Sequence, residues 1–324
     1  MPVYELAPCI ACGGTSGEQL ADAEAIRAEL ELLWEFHGRR LRPGTPPEQL
    51  TDRVAFTQDP ALRIERCRGC GLVFRNPRER PRALREAYAG ERPDAAVLAR
   101  LFDTQRDAAR AQERRLRAAT ARAGRVLEVG SFVGGFLAAA GEAGWTADGV
   151  DVNDAAVEFA RSRGLRSTLG DIDAFEASGP LDAVAIWNCF DQLDDPRAAA
   201  RSARALLGAG GTIAVRVPNG GYWAAVRTHL RGPLAPAARL VLAHSNLLGF
   251  PYRHGFTPGS LARLLEATGF AVTRTWGDAL VPIADRWTRP WAALEERAVK
   301  RALRLVARVA PDAAPWFEVY ARAA

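Results

Sequence analysis

Arg125-Val-Leu-Glu-Val-Gly-Ser-Phe-Val-Gly-Gly-Phe136 is the stretch on which the reading of this chain turns. It opens as a short apolar run interrupted by Glu128, turns on Gly130, Gly134 and Gly135, and resumes with an apolar residue at Phe136. A strand, a glycine turn and a helix N-terminus in that order bring bare backbone and free N–H groups up to a ligand. A helix is expected from Phe136 to Gly144.

The same rhythm continues downstream. Strands are expected at Thr146–Val152, Leu165–Leu169, Leu181–Asn188, Thr212–Val217 and Phe270–Trp276. Helices are expected at Asp154–Arg163, Pro196–Leu207 and Pro258–Thr268, with Gly208–Gly211 as a turn. Alternating strands and helices imply a mostly parallel sheet covered by helices on both faces. Upstream, the Ala-, Arg- and Leu-rich stretch 94–122 reads as one long helix or two shorter ones, stopped by Gly124. Leu20, Ile26, Leu30, Leu33 and Trp34 recur at helical spacing, and Pro43–Pro47 ends that helix. Arg63–Glu65 and Leu72–Phe74 read as short strands. Near the end, Trp287–Val309 reads as an amphipathic helix expected to pack into the core, and Trp316–Arg322 as a last strand.

The chain has 324 residues, 48% hydrophobic and 25% charged, a globular balance. No apolar run approaches the roughly 20 residues that span a bilayer, and Met1–Cys9 lacks the pattern of a secretory signal. The net charge is +5, and Lys300 is the single lysine among 43 basic residues. The arginines are dispersed among acids and alanines, without the clustered charge and interleaved aromatics of a nucleic-acid binder. Neither nucleic acid nor membrane is expected as a partner.

Four of the five cysteines form Cys9-x-x-Cys12 and Cys67-x-x-Cys70, each followed by glycine. Two such knuckles supply four thiolates in tetrahedral array, and no position is left open for catalysis, so the expected metal is structural zinc. A redox pair is the alternative and would need a single pair at a helix N-terminus. The 54 residues between the pairs leave room for a helical insertion. Unpaired thiols fit a reducing compartment, and a cytoplasmic location is expected. Cys189 reads as a small buried hydrophobe.

Three acids then stand at the ends of three consecutive expected strands. Glu128 precedes the first turn, Asp151 stands 21 residues after Gly130, and Asp171 follows the third strand. A carboxylate at that distance suits ribose hydroxyls. Phe132 occupies the place of the second glycine in a dinucleotide fingerprint and would crowd a pyrophosphate. The three acids together suit a ligand with a cationic amino-acid end, a ribose and an adenine.

Val126-Leu-Glu128-Val-Gly130-Ser-Phe-Val-Gly134 resembles the cofactor motif of the class I methyltransferases that use S-adenosylmethionine, except at Phe132. The resemblance covers residues 124–276 and the closing strand. It implies an α/β, Rossmann-like, doubly wound, seven-stranded, mostly parallel sheet. It also implies that Glu128 and the backbone of Gly130, Ser131, Phe132 and Gly134 face the methionine part. Asp151 would hold the ribose, Val152, Asp171 and Ile172 would frame the adenine, and Asn188 would close the site after the fourth strand. Cys67-Arg-Gly-Cys-Gly-Leu-Val-Phe-Arg-Asn-Pro77, with Tyr88 beyond it, resembles the zinc ribbon of small-molecule methyltransferases, among them sugar C-methyltransferases of antibiotic pathways. Those enzymes carry a further C-terminal domain where about 48 residues follow the sixth strand here, so a sugar acceptor is not carried over.

The implied organisation is a zinc-ribbon domain with a helical insertion over 1–88 and a methyltransferase domain over 89–324, with a helical insertion at about 287–310. The expected reaction is O- or C-methylation of a small molecule, in secondary metabolism. Proton removal from an acceptor calls for a base, and His254, Tyr252 and Asp191 are the candidates. Asp191 and Gln192 are expected on the rim after the fourth strand. A non-catalytic scaffold, or an enzyme that spends the same cofactor on another outcome, is the alternative.

Overall fold

The computed structural model describes residues 4–47, 50, 61–80, 83–249 and 253–324. Contacts divide the chain into two units that are interleaved in sequence. One takes Met1–Arg80, Val217–Leu261 and Trp276–Glu318; the other takes Pro81–Arg216, Ala262–Thr275 and Val319–Ala324.

The N-terminal part opens with β1 (Tyr4–Glu5), β2 (Gly17–Asp22) and α1 (Ala23–Arg40). Asp22 starts α1 because its carboxylate accepts from the Ala25 N–H at 2.9 Å, satisfying one of the free donors of the first turn. Strands β3 (Arg63–Cys67), β4 (Val73–Arg75) and β5 (Arg78–Glu79) follow. β2, β3 and β4 pair antiparallel in one sheet, and β1 pairs with β5. α1 lays Ile26, Leu33 and Phe36 against Ile64, Val73, Trp223 and Leu242 to form the core of this unit.

The other unit begins with α2 (Ala83–Gly90) and α3 (Ala95–Thr120), the second being one continuous helix. Then come β6 (Arg125–Val129), α4 (Gly135–Glu142), β7 (Thr146–Asp151), α5 (Asp154–Ser162), β8 (Arg166–Leu169), β9 (Leu181–Trp187), α6 (Pro196–Leu206) and β10 (Leu207–Pro218). α7 (Gly220–Arg227), α8 (Ala235–His244), β11 (His254–Gly255), α9 (Pro258–Glu266), β12 (Phe270–Asp278), α10 (Pro290–Val309) and β13 (Trp316–Ala323) complete the chain. The main sheet has seven strands in the order β12-β13-β10-β9-β6-β7-β8, with β8 through β10 parallel. This is the doubly wound α/β sheet that the strand–helix rhythm implied.

Three local expectations are corrected. The Gly208–Gly211 turn lies inside β10, which starts at Leu207 and absorbs the glycines as an irregularity before Thr212. The stretch from Gly220 to His244, where no element was expected, holds α7 and α8. Asn219 caps α7 through its side-chain oxygen, which accepts from Gly221 and Tyr222. A Cβ on Gly220 would fall 2.1 Å from the Gly255 carbonyl oxygen, so the glycine serves close backbone packing against β11. Finally, α10 turns Ala292, Glu296, Lys300, Leu303 and Ala307 inward. Apart from Leu303, its large apolar residues point outward, the reverse of the core packing expected.

Candidate functional site

The chain leaves β6 toward β7 and β8 on one side and returns to β9 on the other, so the strand order reverses at β6. Ligands of such sheets sit beyond the carboxyl ends of the strands at that reversal. Val129 lies level with Val150 of β7 and Ile186 of β9, so the loops after the three strands emerge side by side.

The loop after β6 is held against β7. Gly130 and Ser131 both donate to the Val150 carbonyl, at 2.9 and 3.0 Å, and Gly134 donates to Ser131 O at 2.8 Å. Gly130 has φ +74°, and a Cβ there would meet Cys189 Sγ at 2.6 Å, so the close approach of the β9 loop requires glycine. Phe132 itself sits at φ 43°, an unusual conformation for a side-chain-bearing residue. It is held because its N–H donates to Asp151 Oδ2 at 2.7 Å. Asp151 Oδ1 accepts from the Asn153 N–H at 2.9 Å. One carboxylate thus ties the loops after β6 and β7 together.

Two carboxyls face each other electrostatically here. Glu128 is buried, and its Oε2 has no hydrogen-bond partner among the described residues. Burial, followed by the charge of Asp151, pushes its pKa well above the usual carboxylate range. Burial also raises Asp151, while the N–H groups of Asn153 and Phe132 oppose the shift. Glu91 is raised as well, first by burial and then by Asp151.

The segment around Glu91 crosses the same edge. Asn153 Nδ2 donates to the carbonyls of Tyr88 and Glu91, at 2.7 and 3.0 Å. The Tyr88 hydroxyl donates to Gln192 Oε1, and Gln192 Nε2 donates to Asn188 O at 2.8 Å. Arg85 pairs with Asp171 at 2.6 Å. Asn188 has φ +62° and is anchored by Arg216, whose guanidinium donates to its side chain and whose carbonyl accepts from its N–H.

Glu128, Gly130, Phe132, Gly134, Asp151, Val152 and Asn188 therefore meet at one edge, with Asp171 and buried Ile172 following β8. The Ser131 side chain is buried with its Oγ 3.5 Å from Ser167 Oγ. Asp191 departs from expectation. The rim position belongs to Gln192, while Asp191 is fully buried and neither carboxyl oxygen has a hydrogen-bond partner among the described residues. Its pKa is pushed up to about 8, by burial above all, with Arg216 pulling the other way. His254 lies in β11, opposite Phe74 of β4. Tyr252 lies outside the described residues.

The cysteines converge as expected. The sulfurs of Cys9, Cys12, Cys67 and Cys70 all lie within 4.8 Å of one another, and the pairs Cys9–Cys70 and Cys12–Cys67 stand at 3.5 Å. Four thiolates about 2.3 Å from a tetrahedral zinc stand about 3.8 Å apart, so the donor set fits that ion. The knuckles are closed by the amides of Gly13 and Gly71, which donate to the carbonyls of Cys9 and Cys67. The hydrogen bond between Cys9 and Cys70 raises the first thiol and lowers the second to about 5.

A sequence profile described as methyltransferase domain matches residues 102–275, more than half of the chain. The chain belongs to the methyltransferase-domain family. Among solved structures, a methyltransferase from Archaeoglobus fulgidus described as dependent on S-adenosylmethionine is 18% identical, with 67% of this chain and 94% of that one covered and a TM-score of 0.44. The plantazolicin methyltransferase BpumL, in complex with SAH, is 15% identical, with coverages of 75% and 94% and a TM-score of 0.46. CalS10 from Micromonospora echinaspora, an amino pentose methyltransferase of calicheamicin biosynthesis, is 26% identical, with coverages of 39% and 57% and a TM-score of 0.33. No curated protein matches the chain.

Three residues at the site were missed. Asn153 carried a legible signal, because an Asn before Asp-Ala-Ala reads as a helix cap, and its side-chain oxygen does accept from Ala156 N–H at 2.9 Å. Glu91 and Arg216 carried none. Their roles come from strand-end neighbours distant in sequence.

Proposed function

We propose that the chain transfers a methyl group from S-adenosylmethionine to a small-molecule acceptor. The observation that carries this reading is Glu128, a buried carboxyl with an unpartnered oxygen beside Asp151 at the strand-order reversal. Neither acid is in an ion pair among the described residues. Burying charge without a partner is costly, and a cationic ligand relieves that cost. S-adenosylmethionine supplies an ammonium, a ribose and a methyl group on a positive sulfur that leaves as a neutral thioether. Glu128 would face the ammonium. Asp151, already orienting the loop through Phe132 and Asn153, would accept from the ribose. Tyr88 and Glu91 would hold the near side of the pocket through Asn153.

The proposal extends to structural zinc on Cys9, Cys12, Cys67 and Cys70, where it would pin the β3–β4 knuckle to the N-terminus and take no part in chemistry. It includes a cytoplasmic setting, consistent with cysteines that form no disulfide, and an acceptor from secondary metabolism. His254, Tyr252 and Asp191 are the proposed proton acceptors, Asp191 being the least available of the three because it is buried and keeps its proton up to about pH 8. Loss of about 10²–10⁴ in kcat at unchanged cofactor affinity would single one out among the variants His254→Asn, Tyr252→Phe and Asp191→Asn. The enclosure of Asp191 favours a binding-only scaffold as the second reading.

The deciding experiment is calorimetric titration with S-adenosylmethionine and with NAD. Binding of the first alone, weakened at least about tenfold by Asp151→Ala, is expected. Absence of binding, or an Asp151→Ala variant that behaves as the parent, would sink the proposal. Product formation from labelled cofactor separates enzyme from scaffold.

A further inference from the structure

α10 is built inside out. The residues it turns toward its own unit include an ion pair, Lys300 Nζ to Glu296 Oε1 at 2.6 Å, with both side chains buried. This pair also fastens the preceding segment, since Lys300 donates to Val281 O at 2.7 Å and Glu296 accepts from the Ile283 N–H at 2.9 Å. Most of the large apolar residues are left outside, Leu303 being buried. Trp291, Leu294, Leu305 and Val309 are 49, 65, 55 and 84% exposed, and Val306 is 40% exposed.

The outward half of the helix is itself divided. At about 100° per residue, these five side chains fall within a sector of about 120°. Arg297, Arg301, Arg304 and Arg308 fall together in a narrower band of about 60° along one flank of that sector. None of the four has an ion-pair partner among the described residues. The acids of the helix are committed elsewhere: Glu296 to Lys300, and Glu295 to Arg40 at 2.8 Å and His244 at 3.1 Å. The exposed surface of α10 therefore carries apolar side chains and uncompensated positive charge, segregated lengthwise over about 27 Å.

We infer that α10 lies on an anionic phospholipid surface, its apolar sector against the acyl boundary and its arginine band on the phosphates. A helix with Trp and Leu on one face and Arg on the other has the character of an interfacial helix. Arginine binds phosphate through two parallel N–H groups, and its long stem lets the charge stay at headgroup level while the apolar sector sinks. Charge complementarity selects this occupant. A second copy packed antiparallel would set the arginine band against itself, and a neutral apolar partner would leave four cations without counter-charge. No helix among the described residues is long and apolar enough to cross a membrane; α10 would rest on one.

The test is co-sedimentation of the full chain with vesicles of phosphatidylcholine alone or mixed with phosphatidylglycerol. Binding to the anionic vesicles is expected to be at least about tenfold stronger and to weaken with added salt. Leu294→Glu combined with Leu305→Glu should abolish it. Arg297→Gln combined with Arg301→Gln should weaken it about tenfold or more. All four positions are at the helix surface, and unchanged circular dichroism checks that the variants fold. Equal binding to both vesicles, or binding to neither, overturns the inference. So does a concentration-dependent dimer that Leu294→Glu dissolves. Retention on immobilised polyglutamate without vesicle binding would assign the face to an acidic polypeptide and overturn the lipid reading.

Discussion

Asp191 holds its carboxyl in a closed space, with a pKa near 8 against an unperturbed 3.8. The folded state therefore keeps a proton that the unfolded chain releases on passing pH 4. Between about pH 4 and pH 8 the native state binds more protons than the unfolded state, so this group makes stability fall as pH rises through that window. Asparagine keeps the shape and cannot ionise. Asp191→Asn should accordingly melt close to the parent near pH 4 and increasingly above it toward pH 8, in thermal scans at matched ionic strength. A constant difference across pH would mean that the carboxyl is not buried in its acid form. Glu128 and Asp151 are raised by the same cause, and the contrast lies in access. Asp151 is tied to two backbone amides at the loop edge, where a ligand hydroxyl is proposed to join them, whereas Asp191 is fully buried.

At the scale of elements, the knuckles around β3 and β4 are the part most exposed to a single chemical test. Four thiols within 4.8 Å crowd partial negative charge that only a cation offsets well. Freshly purified protein should hold one zinc per chain by elemental analysis, and Cys67→Ser should lose it together with the fold of the Cys9–Arg75 region, because binding energy at such sites is folding energy. A zinc content near zero in unchelated protein would refute the site. This element was legible because cysteine spacing is a local signal with one dominant explanation. The β6 loop was legible because Glu128, Gly130 and Gly134 form a local spacing pattern, although the contacts that require them, to Asp151, Cys189 and Leu165, come from further along the chain. α7 was not legible, since Gly220-Gly221 reads locally as a loop and earns its place by packing against Gly255. α10 was half legible. Its amphipathic period is in the sequence, but which face is buried depends on the Glu296–Lys300 pair finding Val281 and Ile283. Asp171 likewise reads locally as a ligand group, and its carboxylate is paired to Arg85 from a helix 86 residues earlier.

At the scale of the molecule, the β6 loop, where the cofactor is proposed to bind, and the cysteine cluster belong to different units that alternate along the chain, so two ligands should leave two separate marks. A ligand that binds only the folded state stabilises it by about 2.7 kcal/mol at a hundredfold excess over its Kd, and protection is concentrated where openings expose the site. Saturating S-adenosylmethionine should slow hydrogen exchange at the amides of Gly130, Phe132 and Asn153, which already converge on Val150 and Asp151. The strap from Tyr88 to Glu91 should slow with them, because Asn153 grips both carbonyls. A chelator should instead accelerate exchange at Gly13 and Gly71, whose amides close the knuckles. If the cofactor protected the knuckles and left Phe132 and Asn153 unchanged, binding would lie elsewhere than at the reversal of strand order. Protection at Phe132 and Asn153 without protection of the strap would keep the site and remove Tyr88 and Glu91 from it. Glu91 carried no sequence signal, and exchange at the few amides of the strap measures the contribution of that segment directly.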